Sequence, residues 1–272
     1  MRVIRVDDEP AYGVALGSIL VSLLEPAPGK ALEFNRWYER DHFYAGCMTG
    51  EHFFAGRRFV ATRDLKALRY PASSRAVPDT SIGSFLALYW MERGHHRVAE
   101  DWAVERVLWL GENGRMDGGG GRKAVHASFY RHRWAACRDD DGVPPEVALD
   151  HPFPGVVLVV SERPEGVSAD ERERWMLEEH LPAALPGSSA ALCLSLDPLE
   201  LPEESPAYVA PEPGSDRRGL EIYFLDGSPD LDWASGFAGL GDAQAQAGMG
   251  EVAFAAGFLP TLPGSDRYVD EV

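Results

Sequence analysis

The sequence predicts an α+β protein in which one β-α-β-β-α-β module occurs twice along the chain. Apolar and helical patterns follow one another in the same order on both sides of residues 136–154. The hexapeptide WYERDH at 37–42 is echoed 138 positions later by WMLEEH at 175–180. Adding the same 138 positions to the predicted strand at 18–24 gives 156–162, which overlaps a second predicted strand at 156–161. This agreement predicts an internal duplication.

The elements of the first module follow from local patterns. Short apolar or alternating runs bounded by Gly or Pro predict strands, and apolar residues at helical spacing predict helices. These criteria give strands at 18–24, 53–62, 84–91 and 124–134, and helices at 30–44 and 95–110.

The second module shows the same order. Its strands are predicted at 156–161, 189–196, 220–225 and 251–258, and its helices at 169–184 and 231–248. An acidic, proline-rich stretch at 198–219 predicts a long loop inside this module. The expected organisation is a first module at 1–135, a linker at 136–154, a second module at 155–259 and a C-terminal tail at 260–272.

Each module should form a four-stranded antiparallel sheet with two helices on one face, the ferredoxin-like arrangement. The bare apolar face of such a sheet is unstable in water, and packing it against the second sheet buries both. We therefore expect a pseudo-two-fold α+β barrel within one chain, with a ligand cavity between the sheets.

Composition excludes several classes of protein. Of the 272 residues, 45% are hydrophobic, which is typical of a globular chain, and no apolar run approaches the roughly 20 residues of a membrane span. The net charge of −17 argues against nucleic acid or an anionic membrane as a partner. The three scattered cysteines suit a reducing compartment, so we expect a cytoplasmic protein.

The doubled module, with Trp and His near the end of each first helix, resembles the dimeric α+β barrel superfamily, most closely its EthD-like branch. The resemblance covers 18–134 and 155–259. Proline commonly follows the His by two positions; Pro182 does so in the second module, whereas the first has Tyr44. The resemblance implies a tandem fusion of a homodimer that binds small hydrophobic molecules. Such proteins include cofactor-independent isomerases, cyclases and lyases, haem-binding members and proteins without known activity.

The first candidate site is the end of the first helix. His42 is suited to move a proton near neutral pH, Tyr44 would be a second donor, and Asp41 and Trp37 would contact the substrate. The alternative is a structural His42 that interacts with the last helical carbonyls, which the equivalent His180 supports.

Arg57 and Arg58 are the second candidate. Neighbours in a strand point to opposite faces, so one of them should face the cavity and hold a carboxylate or a developing oxyanion. The alternative is an ion pair with Glu51 or Asp41, or a charged sheet edge.

The last strand of the first module alternates polar and aromatic residues. A regular strand would place His126, Tyr130 and His132 on one face, together with Ser128 and Trp134. Facing the cavity these residues would form a binding wall; facing solvent they would have no function. The matching strand of the second module is apolar, so we expect the first module to carry the polar site.

No His or Cys spacing matches a metal motif, so we predict no metal and no cofactor. The expected function is cofactor-independent acid–base chemistry (isomerase, cyclase or lyase) on a small aromatic or polyketide-like compound. The alternatives are a non-catalytic binding or accessory protein and a haem-binding protein. The expected partner is a small hydrophobic or aromatic ligand, not nucleic acid or a membrane, and further assembly into a homo-oligomer is left open.

Overall fold

The computed structural model describes residues 1–10, 13–116, 118, 121–199 and 215–272. Its strands are β1 (Arg2–Arg5), β2 (Leu16–Pro26), β3 (Phe53–Val60), β4 (Phe85–Glu92), β5 (Arg122–Cys137), β6 (Gly155–Glu162), β7 (Ala190–Pro198), β8 (Arg218–Leu225) and β9 (Glu251–Pro260). Its α-helices are α1 (Ala31–Trp37), α2 (Arg63–Ala67), α3 (His96–Glu112), α4 (Ala169–Trp175), α5 (Leu181–Ala184) and α6 (Leu240–Gln246).

Eight antiparallel strands close into a barrel in the order β5-β2-β4-β3-β9-β6-β8-β7, and β7 returns to β5. Each half repeats the 4-1-3-2 strand order of the predicted module. The two halves meet at unequal seams: β3 and β9 share two residue pairs, whereas β5 and β7 share seven. The predicted α+β fold with two ferredoxin-like modules in one barrel is confirmed.

Several elements depart from the sequence prediction. The N-terminal strand β1 and the short helix α2 were not predicted. Helix α1 continues as wider, π-helical turns through Tyr38–His42 and Tyr44–Met48, and α4 does the same through Met176–His180. The predicted loop at 198–219 includes residues 200–214, which lie outside the described residues.

The space between the two sheets is filled, so the prediction of a ligand cavity there is wrong. Inward side chains of both modules form one buried cluster that includes Ile19, Leu88, Leu158 and Phe254. Part of the stretch predicted as a linker adds to it: Ala148, Leu149 and Phe153 are buried in the same cluster. Apolar residues in a segment rich in Pro and Asp thus close one end of the barrel.

The helices pack on the outer faces of the sheets, with a separate apolar cluster in each module. The tail contacts α1: Asp266 accepts hydrogen bonds from Arg36, and Val269 is buried in the first module's helical cluster. Cys47, Cys137 and Cys193 are free and buried. Within the described ranges, no helix is both long and apolar enough to cross a membrane.

Candidate functional site

A cavity of about 580 Å³ lies in the first module, between the outer face of its sheet and its helices. Strand β2 alternates across the sheet: Leu20, Ser22 and Leu24 line the cavity, whereas Ile19 and Val21 point into the barrel. The π-helical extension of α1, helix α3 and the start of β5 complete the walls. The lining is mainly apolar, with a few polar groups, as expected of a small-molecule site.

His42 lines this cavity and is largely buried. Its imidazole stacks on Trp37 with ring centroids 4.5 Å apart and meets the edge of Tyr38 at 5.0 Å. Neither ring nitrogen has a hydrogen-bond partner among the described residues, and Nδ1 is inaccessible to solvent. Burial, followed by the charge of Arg122, lowers the pKa of His42 to about 3. The imidazole is therefore neutral at physiological pH.

Gly46 leaves room for the His42 imidazole, because it has no side chain. A Cβ at this position would lie 3.2 Å from Cε1 of the imidazole, closer than ordinary packing allows. The wide turns of the α1 extension thus bring His42 and Gly46 together on the cavity side. π-Helical turns are frequent at functional sites.

Two phenols and a thiol line the cavity with His42. The hydroxyl groups of Tyr38 and Tyr89 are 3.0 Å apart, and both rings are buried. Burial raises the pKa of both phenols and raises the pKa of the Cys47 thiol to about 12. All three groups are therefore protonated at neutral pH. One phenol of the pair donates to the other, and the second O–H can donate a hydrogen bond to a ligand.

Cationic side chains surround one side of the cavity. Arg122 lines it and lies over the Trp37 ring at 5.0 Å from the centroid, and Lys123 is exposed beside it. Arg115 pairs with Asp41 and accepts, through its backbone oxygen, a hydrogen bond from Trp37 Nε1. This local positive charge contrasts with the strongly negative chain and favours a ligand with an anionic end.

Of the predicted site residues, only His42 lines the cavity; Trp37 stacks on its imidazole, and Asp41 forms the ion pair with Arg115. Tyr44 is 55% exposed and does not line the cavity. The prediction that Tyr44 lies beside the substrate is wrong, because its position on the α1 extension directs its side chain to solvent.

The two arginines point to opposite faces, as predicted, but neither lines the cavity. Arg57 donates to the backbone oxygens of Leu149 and His151 at the closed barrel end. Arg58 is buried beneath α1, where it donates to Asn35 and lies 4.5 Å from the Tyr38 ring centroid. Placing either arginine against a substrate in a cavity between the sheets is wrong, because protein groups occupy that space.

The polar stripe on β5 faces the barrel interior as far as His132. His126 and Tyr130 pair with Leu23 and Ile19 of the inner cluster, and the Tyr130 hydroxyl is 2.7 Å from His126 Nε2. A β-bulge between His132 and Trp134 turns only Trp134 to the helical side of the second module. The shared face is thus present, but the predicted wall of a cavity between the sheets is wrong for His126 and Tyr130, because side chains fill that space.

His132 borders a second cavity, of about 550 Å³, near the N-terminus. The cations around that cavity are already engaged by protein groups. Arg2 donates to the Gly142 oxygen, Arg5 pairs with Glu173, and Arg93 donates to Val6. Arg122 of the His42 cavity is engaged too, since it donates to the Met116 oxygen, so the cations do not distinguish the two cavities. We assign the candidate site to the His42 cavity because its lining is the more apolar of the two.

Sequence reasoning missed Tyr38, Tyr89, Cys47 and Arg122 as cavity residues. The alternation of β2 carried a usable signal, because Ser22 is a polar residue among apolar ones on the face that meets the helices. Tyr38 and Tyr89 carried no such signal in the sequence, because aromatic residues at such spacing are typical of a core.

The second module fills the corresponding space. Arg172 follows the duplication offset from Phe34, and its guanidinium pairs with Glu221 at 2.6 Å while both side chains are buried. Ser161 and Gln244 extend this polar cluster. The two modules therefore share a fold and differ in what lies between sheet and helices.

Comparison with known proteins supports the fold. No family model and no curated protein matches the chain. The solved structure of an anthrone oxidase-like protein aligns over 96% of this chain and 95% of its own, with 10% identity and a TM-score of 0.52. A protein provisionally described as a chlorite dismutase aligns over 95% of this chain and 100% of its own, with 14% identity and a TM-score of 0.51. The chain has the fold of the dimeric α+β barrel superfamily, with both halves in one polypeptide. The closer assignment to the EthD-like branch is not confirmed.

Proposed function

We propose that the chain binds a small, flat, mainly apolar organic molecule in the His42 cavity and catalyses proton transfer on it without a cofactor. The observation that carries this proposal is the buried, unpartnered imidazole of His42 in an apolar cavity of about 580 Å³. An imidazole without a protein partner is available to a ligand, and burial of a polar group without a partner is costly.

The proposed chemistry begins with the neutral form of His42. The imidazole accepts a proton from an acidic C–H of the substrate, and the electron pair remains on the substrate as an enolate. The imidazolium then returns the proton at another carbon, which completes an isomerisation. Although burial holds the pKa of His42 near 3, an enolate beside the ring favours the charged imidazolium. Arg122 and the Tyr38–Tyr89 hydroxyl pair are placed to stabilise the enolate oxygen.

Hydrogen–deuterium exchange into 2-tetralone, an enolisable aromatic ketone, tests this proposal. We expect the protein in deuterated buffer to accelerate exchange at the α-carbon above the buffer rate, as measured by NMR. The His42→Gln variant should lose about 100-fold or more of that acceleration, since this is a typical contribution of a positioned general base.

His180→Gln is the matched control, because His180 also stacks on a Trp five positions before it, with ring centroids 5.0 Å apart. This variant should retain the exchange activity. No acceleration by the unaltered protein, or equal acceleration by His42→Gln, would contradict proton transfer by His42. Binding of 2-naphthol, an analogue of the enol, without exchange would instead support a non-catalytic ligand-binding protein.

Haem is a second candidate, favoured by the same neutral imidazole, which is a common axial ligand of haem iron. His42 would hold the iron, and Arg122 and Lys123 would face the haem carboxylates. Bound haem would supply redox chemistry. An absorbance scan of the purified protein and a titration with haemin test this: a Soret band that changes in His42→Ala supports haem, and no ligation contradicts it.

A further inference from the structure

Three potential metal ligands converge outside the His42 cavity. His52 precedes β3, Glu92 ends β4, and His95 precedes α3. His52 Nδ1 is 2.8 Å from Glu92 Oε2, and the two imidazole rings stack with centroids 3.7 Å apart. One donor atom from each residue lies within 4.8 Å of the other two.

We propose that His52, Glu92 and His95 bind a divalent transition-metal ion of the zinc class. Two imidazole nitrogens and one carboxylate oxygen form a donor set that suits Zn²⁺, whereas Mg²⁺ and Ca²⁺ prefer oxygen ligands. Tetrahedral coordination with bonds of roughly 2.0–2.2 Å places donors about 3.3 Å apart. Because the two imidazoles stack with an interplanar angle of 14°, metal binding would require one ring to rotate so that its nitrogen lone pair converges with the others.

Backbone contacts hold the three residues in place without the metal. The Glu92 N–H donates to the His52 oxygen at 3.0 Å, and the His95 N–H donates to the Glu92 oxygen at 3.2 Å. His52 itself has a positive φ of 69°, which turns its side chain back toward Glu92. The site is therefore assembled by the fold, a condition that favours metal affinity.

The surroundings of His52 and His95 support a ligand role. Glu51 Oε1 lies 3.8 Å from His52 Nε2, the nitrogen that does not face Glu92. At this distance the Glu51 carboxylate makes no hydrogen bond to His52, but it adds negative charge beside the ring, which favours a bound cation. Within the described part of the chain, neither ring nitrogen of His95 has a hydrogen-bond partner, so its imidazole is available.

Metal binding at this position would join the starts of β3 and α3 to the end of β4. Helix α3 supplies Ala103, Val104 and Val107 to the wall of the His42 cavity. The ion would therefore fasten one wall of the candidate site to the sheet, with its remaining coordination position open to solvent.

Titration of the full, metal-free chain with Co²⁺ tests the proposal. We expect one equivalent to bind with visible d–d absorption bands, and Zn²⁺ to displace it. Saturating Zn²⁺ should raise the thermal unfolding midpoint by about 2–5 °C, because a ligand that binds only the folded state stabilises it.

Two ligand variants and one control complete the experiment. His52→Gly suits the positive φ and removes one ligand, and His95→Ala removes another; each should weaken Co²⁺ binding by about 100-fold or more. His151→Asn removes a histidine outside the cluster and should bind as the unaltered chain does. Circular dichroism checks that each variant is folded. Absence of Co²⁺ binding, or equally tight binding by the two ligand variants, would overturn the proposal.

Discussion

His42 and His180 occupy the same place in two copies of one module and have different surroundings. Each stacks on a tryptophan, and burial is the main cause that lowers the pKa of each, to about 3 and about 4. His42 faces an open cavity, whereas the space between sheet and helices beyond His180 contains the Arg172–Glu221 ion pair. The stacked pair is thus a feature of the module. Against the sheet, the space beside His180 is reduced to about 20 Å³, and the larger cavity of about 410 Å³ that His180 borders is lined by helices and loops.

Buried neutral histidines also predict how stability depends on pH. Burial lowers the pKa of His132 to about 4, while in the unfolded chain it titrates near 6.5. Between these values the unfolded state binds the extra proton, so the free energy of unfolding falls as pH falls from about 6.5 to 4. One such group contributes a slope of up to about 1.4 kcal/mol per pH unit.

His132→Leu should therefore flatten this dependence. Urea unfolding at pH 7.5, 6.0 and 5.0 would measure the free energy of unfolding of both proteins. The slopes of this free energy against pH are compared, not its absolute values, because the substitution also changes packing. Equal slopes for the variant and the unaltered protein would show that His132 is not held neutral in the fold.

At the element scale, Gly56 lets the α1 extension approach β3. A Cβ at this position would lie 2.6 Å from Met48 Sδ and 2.8 Å from Phe43 Cζ, so a larger side chain would have to displace the Met48 and Phe43 side chains. We expect Gly56→Val to lower the free energy of unfolding by about 1–3 kcal/mol, the usual cost of overpacking.

Gly236→Ala is the matched control for Gly56→Val. A Cβ at Gly236 would meet no atom within 4 Å, and its backbone has no positive φ. Urea denaturation should show a change within about 0.5 kcal/mol for this control. A similarly small effect of Gly56→Val would contradict the close packing inferred for the α1 extension.

The sequence predicts most elements because their patterns are local. All eight barrel strands and the four main helical segments follow from apolar runs and helical spacing. Strand β1 was missed because Arg2–Arg5 is short and is defined by its pairing with the far end of β5. The bulge between His132 and Trp134 was missed because it depends on the pairing of β5 with β7.

At the scale of the whole molecule, the duplication and the barrel are predictable, whereas the position of the cavity is not. The inner face of each strand looks equally apolar whether the barrel is hollow or filled. Leu149 and Phe153 help to fill the barrel, and they lie in a segment whose composition indicates a linker. The two modules differ between sheet and helices: Phe34 stands in the first where Arg172 of the buried ion pair stands in the second, and the larger cavity lies in the first.

We place the ligand-binding cavity between the sheet and the helices of the first module, beside His42. A crystal structure of the chain with 2-naphthol tests it most directly. We predict electron density for the naphthol rings beside His42, with the hydroxyl toward Tyr38 or Arg122. Density for the ligand between the two sheets, with Leu149 and Phe153 displaced, would contradict the account.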